Sequence, residues 1–184
     1  VMEGKGLLFK IFADIDVFDI EIDTKNIDEF IETVKNISPT FGGINLEDIK
    51  APEAFEIERR LVDELDIPVM HDDQHGTAII SGAALINALE LANKKIGEIQ
   101  MVICGAGAAA ISCAKMYKSL GVKKKNILMF DSKGLININR KDLSLEKKLF
   151  ASKNVEIESL ADAINGSDVF IGLSKADMMS KEML

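Results

Sequence analysis

The spacing of hydrophobic positions changes several times along the chain, and each spacing predicts one kind of element. Apolar residues three and four apart predict helices, whereas alternation or a short continuous apolar run predicts strands. Helical spacing is found at 7–12, 27–37, 52–65, 76–93, 111–120, 141–153 and 160–164. Strand patterns are found at 17–23, 41–46, 67–70, 100–104, 126–130, 155–157 and 168–174. Strands that alternate with helices predict an α/β fold with parallel strands.

Two of the predicted strands each lead into a pair of acids. Glu47 and Asp48 follow the strand that ends at Leu46, and Asp72 and Asp73 come shortly after the next strand. A βαβ unit brings the carboxyl ends of its strands to the same sheet edge, where open α/β folds bind ligands. Four carboxylates there would repel one another without a cation, and oxygen ligands suit Mg²⁺ or Mn²⁺. Acids after strands also serve as helix caps and turn residues, so both interpretations are open.

A glycine-rich loop follows the strand at 100–104. Gly105, Gly107, Ala108 and Ala110 belong to a GxGxxA pattern that opens a helix, and Asp131 closes the next strand 26 positions after Gly105. This order of strand, loop, helix and acid is typical of a dinucleotide-binding Rossmann unit. In such units Asp131 would accept a hydrogen bond from the ribose 2′-hydroxyl, which favours NAD.

Other residues bear on the cofactor. Ser132 and Lys133 could hold a 2′-phosphate and so favour NADP, which leaves only a slight preference for NAD. Thr77, or the amides near it, could meet a ligand at the amino end of the helix predicted from Gly76.

Composition narrows the classes of function. The chain has 184 residues, of which 47% are hydrophobic, and a net charge of −8, which argues against nucleic acid or an anionic membrane as a partner. Cys104 and Cys113 lack metal-ligand spacing and indicate buried thiols in a reducing compartment. With no signal peptide or apolar span in the sequence, we expect a cytoplasmic protein. His71 and His75 are the only histidines, and a supporting or helix-capping role is favoured over a base or zinc ligand.

The stretches 42–49 and 71–78 resemble the malic enzyme family in its compact bacterial form, and the similarity continues across nearly the whole chain. The resemblance implies two domains. Residues 1–75 would be the last part of the substrate and metal domain, and residues 76–184 an NAD(P)-binding Rossmann domain truncated at its carboxyl end. We therefore expect both ends of the chain to be cut from a longer enzyme.

The resemblance also implies a reaction. Malic enzymes oxidise malate at C2, pass a hydride to NAD(P)⁺ and release CO₂, leaving pyruvate. By the family pattern, Lys5 is the general base and Asp72 orients it or exchanges a proton with it. Glu47, Asp48 and Asp73 would be the ligands of Mg²⁺ or Mn²⁺.

Three further expectations complete this hypothesis. Ser174 lies in a segment that resembles the family's nicotinamide-side loop, and we expect a homodimer or a higher homo-oligomer. The family takes its general-acid tyrosine from an earlier segment, so Tyr117, which follows the glycine loop, cannot be that residue. Two alternatives stay open: a malolactic enzyme on the same framework, and a non-catalytic nucleotide-binding module.

Overall fold

The computed structural model describes residues 1–183. The chain forms two compact units, one from Val1 to His71 and the other from Asp72 onward. Both units contain helices and parallel strands, so the predicted α/β fold class is confirmed. The assignment of a substrate role to residues 1–75 and a cofactor role to residues 76–184 stays a prediction. Among the described residues, no helix is both long enough and apolar enough to cross a membrane.

The first unit is a small βαβ arrangement with helices on it. Its elements are α1 (Met2–Ala13), α2 (Ile27–Ile37), β1 (Ile44–Leu46), α3 (Glu53–Glu64) and β2 (Val69–His71). β1 and β2 are parallel, with Leu46 opposite His71. The core of this unit consists of residues from α2, β1 and α3, namely Ile31, Val34, Leu46, Ile57 and Leu61. The parallel pair brings the ends of both strands to one edge, as the sequence predicted.

α2 illustrates how local sequence sets these elements. The Asn26 side chain accepts hydrogen bonds from the backbone N–H groups of Asp28 and Glu29, at 2.9 and 3.2 Å. These bonds satisfy two of the amide donors that the first turn of a helix leaves unpaired. Ile31 and Val34, three positions apart, are buried on the face that packs in the core. Cap and apolar stripe together account for a helix over 27–37.

The second unit is a four-stranded sheet with helices. Its elements are α4 (Asp72–Leu91), β3 (Met101–Cys104), α5 (Ala108–Leu120), β4 (Ile127–Asp131), β5 (Gly134–Leu135), α6 (Leu145–Lys148), α7 (Leu160–Ile164) and β6 (Val169–Gly172). The strand order is β5-β4-β3-β6. β3 is parallel to both β4 and β6, whereas the short β5 pairs antiparallel with β4 at the edge. This is the Rossmann-type sheet that the sequence predicted, with one antiparallel edge strand.

The central strand β3 is buried on both faces. Met101 and Ile103 belong to the core cluster shared with α4 and α5, and Val102 belongs to a second cluster that includes Ala163 of α7. A strand that is covered on both faces has a continuous run of apolar residues in its sequence. The polar and glycine residues that could meet a ligand are therefore confined to the ends of the strands.

Two predicted strands are wrong. Residues 17–23 alternate as a strand would, yet they form neither a strand nor a helix, and the same is true of residues 155–157. Alternation reports a preference for extended backbone, but a strand exists only where a neighbour offers its hydrogen-bonding edge. Neither segment has such a neighbour among the described strands.

Three helix predictions need correction. α1 begins at Met2, so Lys5 lies inside the helix and not before it. α4 begins at Asp72, four residues before the predicted start at Gly76. The charged segment 141–153 forms only the one-turn helix α6. In the first two cases the helix was predicted to begin at or after a glycine. Flanking residues and packing can override the low helix propensity of glycine, so both helices begin earlier.

Candidate functional site

The first group of candidate residues lies where β1 ends. Leu46 is buried, and the next two residues, Glu47 and Asp48, leave the strand. The Oε2 atom of Glu47 accepts a hydrogen bond from the Asn45 side-chain amide at 3.1 Å. Asp48 has a positive φ of 55°, which turns the backbone sharply. A pair of carboxylates is thus presented on a tight turn at the strand end.

Lys5 reaches the same strand end from α1. Its Nζ lies 3.3 Å from Oε2 of Glu47, and the Glu47 side chain is only 9% exposed. The two residues are 42 positions apart in sequence, so spacing could not have paired them. The resemblance led us to expect Lys5 near Asp72 or a substrate oxygen, and that contact stays a prediction. The ion pair with Glu47 is an additional contact that the sequence did not indicate.

Asp72 and Asp73 follow β2 directly and form the first turn of α4. Glu47 and Asp48 in the first unit, and Asp73 at the start of the second, each offer a carboxylate oxygen. Mg²⁺ and Mn²⁺ favour oxygen ligands. The donor chemistry of these three residues therefore fits a hard divalent cation.

The second group of candidates lies at the carboxyl edge of the four-stranded sheet. Gly105 has a φ of 132°, and a Cβ there would stand 2.7 Å from the carbonyl carbon of Leu173. A side chain at Gly105 would thus collide with the backbone that follows β6. At Gly107, by contrast, a Cβ would meet nothing within 4 Å. One glycine is required by the fold, and the other leaves open space in front of the loop.

α5 begins immediately after this loop. Gly107 is its N-cap residue, and no side chain caps the helix there. The first amides of a helix carry partial positive charge and lack partners within the helix, which suits an anion such as a pyrophosphate. Ala110 is buried in the core, and Ala108 opens the helix.

Asp131 ends β4 and is held by cations. Its Oδ1 and Oδ2 accept from Nη1 and Nη2 of Arg140 at 2.8 and 2.9 Å. Lys147 donates to Oδ2 at 2.9 Å, and the backbone N–H of Lys133 donates to Oδ1 at 2.9 Å. Arg140 and Lys133 also bind Asp142. The carboxylate that was predicted to hold a ribose therefore already has four donors.

This network sets the charge state of Asp131. Burial disfavours the ionised carboxylate, but the hydrogen bonds from Arg140 and Lys147 outweigh it and hold the pKa of Asp131 well below its usual range. The pKa of Asp142 is lowered chiefly by hydrogen bonds from Arg140 and Lys133. Sequence reasoning missed Arg140 and Lys147, because a charged run on its own indicates only a solvated face.

Three other predicted residues belong to the second unit. Ser174 follows β6, and its Oγ lies 3.4 Å from Sγ of Cys104 at the end of β3. Ser132 is exposed in the turn between β4 and β5. Thr77 lies in the second turn of α4, where helical N–H groups bond to the helix's own carbonyls. The prediction that Thr77 marks the amino end of a helix is therefore wrong, and only its side chain could meet a ligand.

Tyr117 was predicted not to be a general acid. It is fully buried in α5, and its hydroxyl has no hydrogen-bond partner among the described residues. Burial raises the pKa of this phenol to about 12. Its position in the core is consistent with a packing role.

Comparison with protein families gives two matches on this chain. The model of the malic enzyme NAD binding domain matches residues 74–183. The model of the malic enzyme N-terminal domain matches residues 1–62. Together the two models cover most of the described chain.

Individual relatives agree with the family models. An NAD-dependent malic enzyme of Rhizobium meliloti is 53% identical over 184 residues, all of this chain and 24% of that protein. An NADP-dependent malic enzyme of Halomonas elongata is 52% identical over 99% of this chain and 43% of that protein. The chain thus spans less than half the length of either curated relative.

A solved structure is similar throughout. The NAD-dependent malic enzyme of Thermotoga maritima superimposes with a TM-score of 0.90 at 44% sequence identity. The similarity covers 99% of this chain and 49% of that chain. Both units described above therefore have counterparts in one solved protein.

Proposed function

The chain belongs to the malic enzyme family, and on this basis we propose that the protein carrying it converts malate to pyruvate and CO₂ with reduction of NAD(P)⁺. The family membership inferred from the stretches 42–49 and 71–78 is confirmed by both family models. The activity is proposed for the whole protein, since the chain spans only part of the length of its relatives.

The observation that carries the proposal is the ion pair between Lys5 and Glu47 at the end of β1. Oxidation of malate requires a base near the C2 hydroxyl, and an amine can take that proton if it lies within hydrogen-bond reach. Lys5 lies at the acid-bearing strand end, 3.3 Å from Glu47. We assign Lys5 as the base and Asp72 as the residue that orients it or exchanges its proton.

Glu47, Asp48 and Asp73 would hold the divalent metal. Their carboxylate oxygens are the kind of ligand that Mg²⁺ and Mn²⁺ favour. When bound, the metal supplies Lewis-acid stabilisation of the negative charge that develops during loss of CO₂. Asn45 restrains Glu47 through its amide, so that the carboxylate is oriented before any ligand arrives.

The glycine loop and the start of α5 would hold the dinucleotide. The open space at Gly107 and the uncapped amides of α5 suit the pyrophosphate, and Asp131 would lie near the ribose. NAD(P)⁺ supplies the hydride acceptor. Ser132 and the Thr77 side chain are further candidates for cofactor contacts, and Ser174 follows β6 at the same sheet edge as Gly105.

The ribose position combines a feature that favours NAD with features that favour NADP. Asp131 alone would repel a 2′-phosphate, but Arg140 and Lys147 compensate its charge. Relatives of nearly equal identity include both an NAD-dependent and an NADP-dependent enzyme. Affinity for both cofactors should therefore be measured on the same preparation.

The test uses the full-length protein with malate, both cofactors, and Mn²⁺ or Mg²⁺. We expect metal-dependent NAD(P)H formation with pyruvate as product. Lactate as the product would identify a malolactic enzyme, and neither product would favour a non-catalytic module. Asp73→Asn should weaken Mn²⁺ binding at least about tenfold, because it removes a charged ligand oxygen. Asp63→Asn on α3 makes the same chemical change at an exposed position and should leave binding unchanged.

We also propose a homodimer or a higher homo-oligomer in the cytoplasm. Sedimentation velocity of the full-length protein and cell fractionation would test the two statements separately. A monomer at working concentration would contradict the first of them without affecting the proposed chemistry.

A further inference from the structure

We propose that His71 is a positioning residue that holds the acid-bearing turn after β1 against the end of β2. The Nε2 atom of His71 lies 3.1 Å from the carbonyl oxygen of Ile49. A carbonyl oxygen can only accept, so Nε2 donates in this bond. Ile49 directly follows Asp48, so the bond ties down the chain just beyond the two carboxylates. The proposal rests on the assignment of Glu47 and Asp48 as metal ligands.

The turn is held on both sides. On one side Leu46 is buried and lies opposite His71 in the parallel pair. On the other side the Ile49 carbonyl accepts from the His71 ring. Glu47 and Asp48 therefore lie between Leu46, which is held in the strand pair, and Ile49, which is held by the side chain of His71. His71 takes part in both contacts.

His71 is itself fixed from α3. Its backbone N–H donates to Oε1 of Glu58 at 2.8 Å, and its side chain is fully buried. A buried ring has few alternative rotamers in a close-packed interior. The donor that reaches Ile49 is therefore rigidly placed relative to β2 and α3.

The backbone of the turn at Asp48 needs contacts that hold its conformation. Asp48 has a φ of 55°, in the left-handed region that non-glycine residues adopt at a cost in free energy. A conformation of this kind persists only where its surroundings hold it. The bond from His71 to the following residue is a contact that can hold it.

The other ring nitrogen argues against a role in stability alone. Nδ1 of His71 is buried and has no hydrogen-bond partner among residues 1–183. Burying an unpartnered polar atom is unfavourable, so an apolar side chain of similar size would suit the interior better. The interacting part of the imidazole is Nε2, which is the atom bonded to the turn.

The test compares two substitutions in the full-length protein. His71→Gln keeps an amide donor at the position of Nε2, whereas His71→Met fills a similar volume without a donor. Mn²⁺ affinity is measured by electron paramagnetic resonance without malate or cofactor, and thermal unfolding is followed in parallel. We expect His71→Met to weaken Mn²⁺ binding roughly 10–100-fold, the range for lost support of a metal ligand, and His71→Gln to stay within about threefold of the parent.

A purely structural role would lower the unfolding temperature of His71→Met and leave its Mn²⁺ affinity unchanged, and that result would overturn the proposal. Equal losses of affinity in His71→Met and His71→Gln would overturn it too, because the donor would then not matter. If His71→Met does not fold, His71→Asn replaces it, since its shorter amide cannot reach Ile49. Binding by His71→Asn equal to that by His71→Gln would then reject the role.

Failure of the proposed function would look different. The metal assignment itself is wrong if the parent does not bind Mn²⁺, or if Glu47→Gln binds Mn²⁺ as tightly as the parent. The proposed role of His71 is then rejected as well. If Glu47→Gln weakens Mn²⁺ binding and His71→Met does not, only the role of His71 is rejected.

Discussion

The carboxylate of Asp72 occupies the space that a Cβ would need at Gly76, one turn further along α4. A Cβ at position 76 would stand 2.9 Å from Cγ of Asp72, closer than real Cβ contacts come. The neighbour in question is the far end of a side chain, so a substitution would displace the carboxylate and not the helix. Glycine at this position therefore leaves room for one particular orientation of Asp72.

We predict that Gly76→Ala impairs catalysis without impairing the fold. Alanine favours a helix over glycine by about 0.5–1 kcal/mol, so stability should hold or rise. The displaced Asp72 should lower kcat for malate oxidation roughly tenfold or more, since small misplacements of a catalytic group are costly. Steady-state kinetics and thermal unfolding of the same preparation separate the two effects.

Gly82→Ala is the matched control in the same helix. A Cβ there would lie 3.2 Å from the side chains of Met116 and Leu120, both flexible, and it would not touch Asp72. We expect kcat close to that of the parent. If Gly76→Ala also retained the parental kcat, the position of the Asp72 carboxylate would be irrelevant to the reaction.

Lys5→Ala should cost about 10²–10⁴-fold in malate oxidation, the usual contribution of a general base. Decarboxylation of added oxaloacetate should suffer less, because that step begins without a hydroxyl proton to remove. Lys10→Ala is the control, since Lys10 lies on the same helix and pairs with Asp14 and Asp16 at the exposed end. Malate oxidation at the parental rate by Lys5→Ala would leave this lysine as a simple partner of Glu47.

Substitutions at the two loop glycines should have different effects, one on stability and the other on cofactor binding. Gly105→Ala must adopt a φ of 132° and meet the Leu173 backbone, so it should destabilise the protein by about 1–3 kcal/mol. Gly107→Val projects into open space and should leave stability nearly unchanged, yet it should block the pyrophosphate. Thermal unfolding and calorimetric titration with NAD and NADP measure both properties. Undiminished cofactor affinity in Gly107→Val would count decisively against this loop as the dinucleotide site.

Arg140→Gln tests the charge balance at the ribose position. The change removes a cation that holds Asp131 through two hydrogen bonds and leaves that carboxylate less compensated. We expect NADP affinity to fall about tenfold, within the range for a charge-assisted hydrogen bond, and NAD affinity to fall less. Calorimetry with both cofactors gives the ratio. An equal loss for NAD and NADP would show that Arg140 does not discriminate at the 2′-position.

The sequence by itself determined the features that depend on local order. A strand that leads into acids, a glycine loop between a strand and a helix, and an apolar stripe are each complete within about a dozen residues. For that reason β1, β2, β3, β4 and their connecting helices lie close to where the pattern predicted them. The family itself was readable from two such stretches, 42–49 and 71–78, since both consist of contiguous residues.

Only the tertiary structure decided which distant side chains meet. Lys5 pairs with Glu47 across 42 positions, and Arg140 and Lys147 reach Asp131 from a segment with little regular structure. The alternating segment 17–23 was predicted as a strand but forms none. A strand needs a neighbouring strand edge to pair with, and no local pattern can supply one. Periodicity records which face of an element is apolar, whereas ion pairs, buried donors and strand partners depend on how the chain folds back on itself.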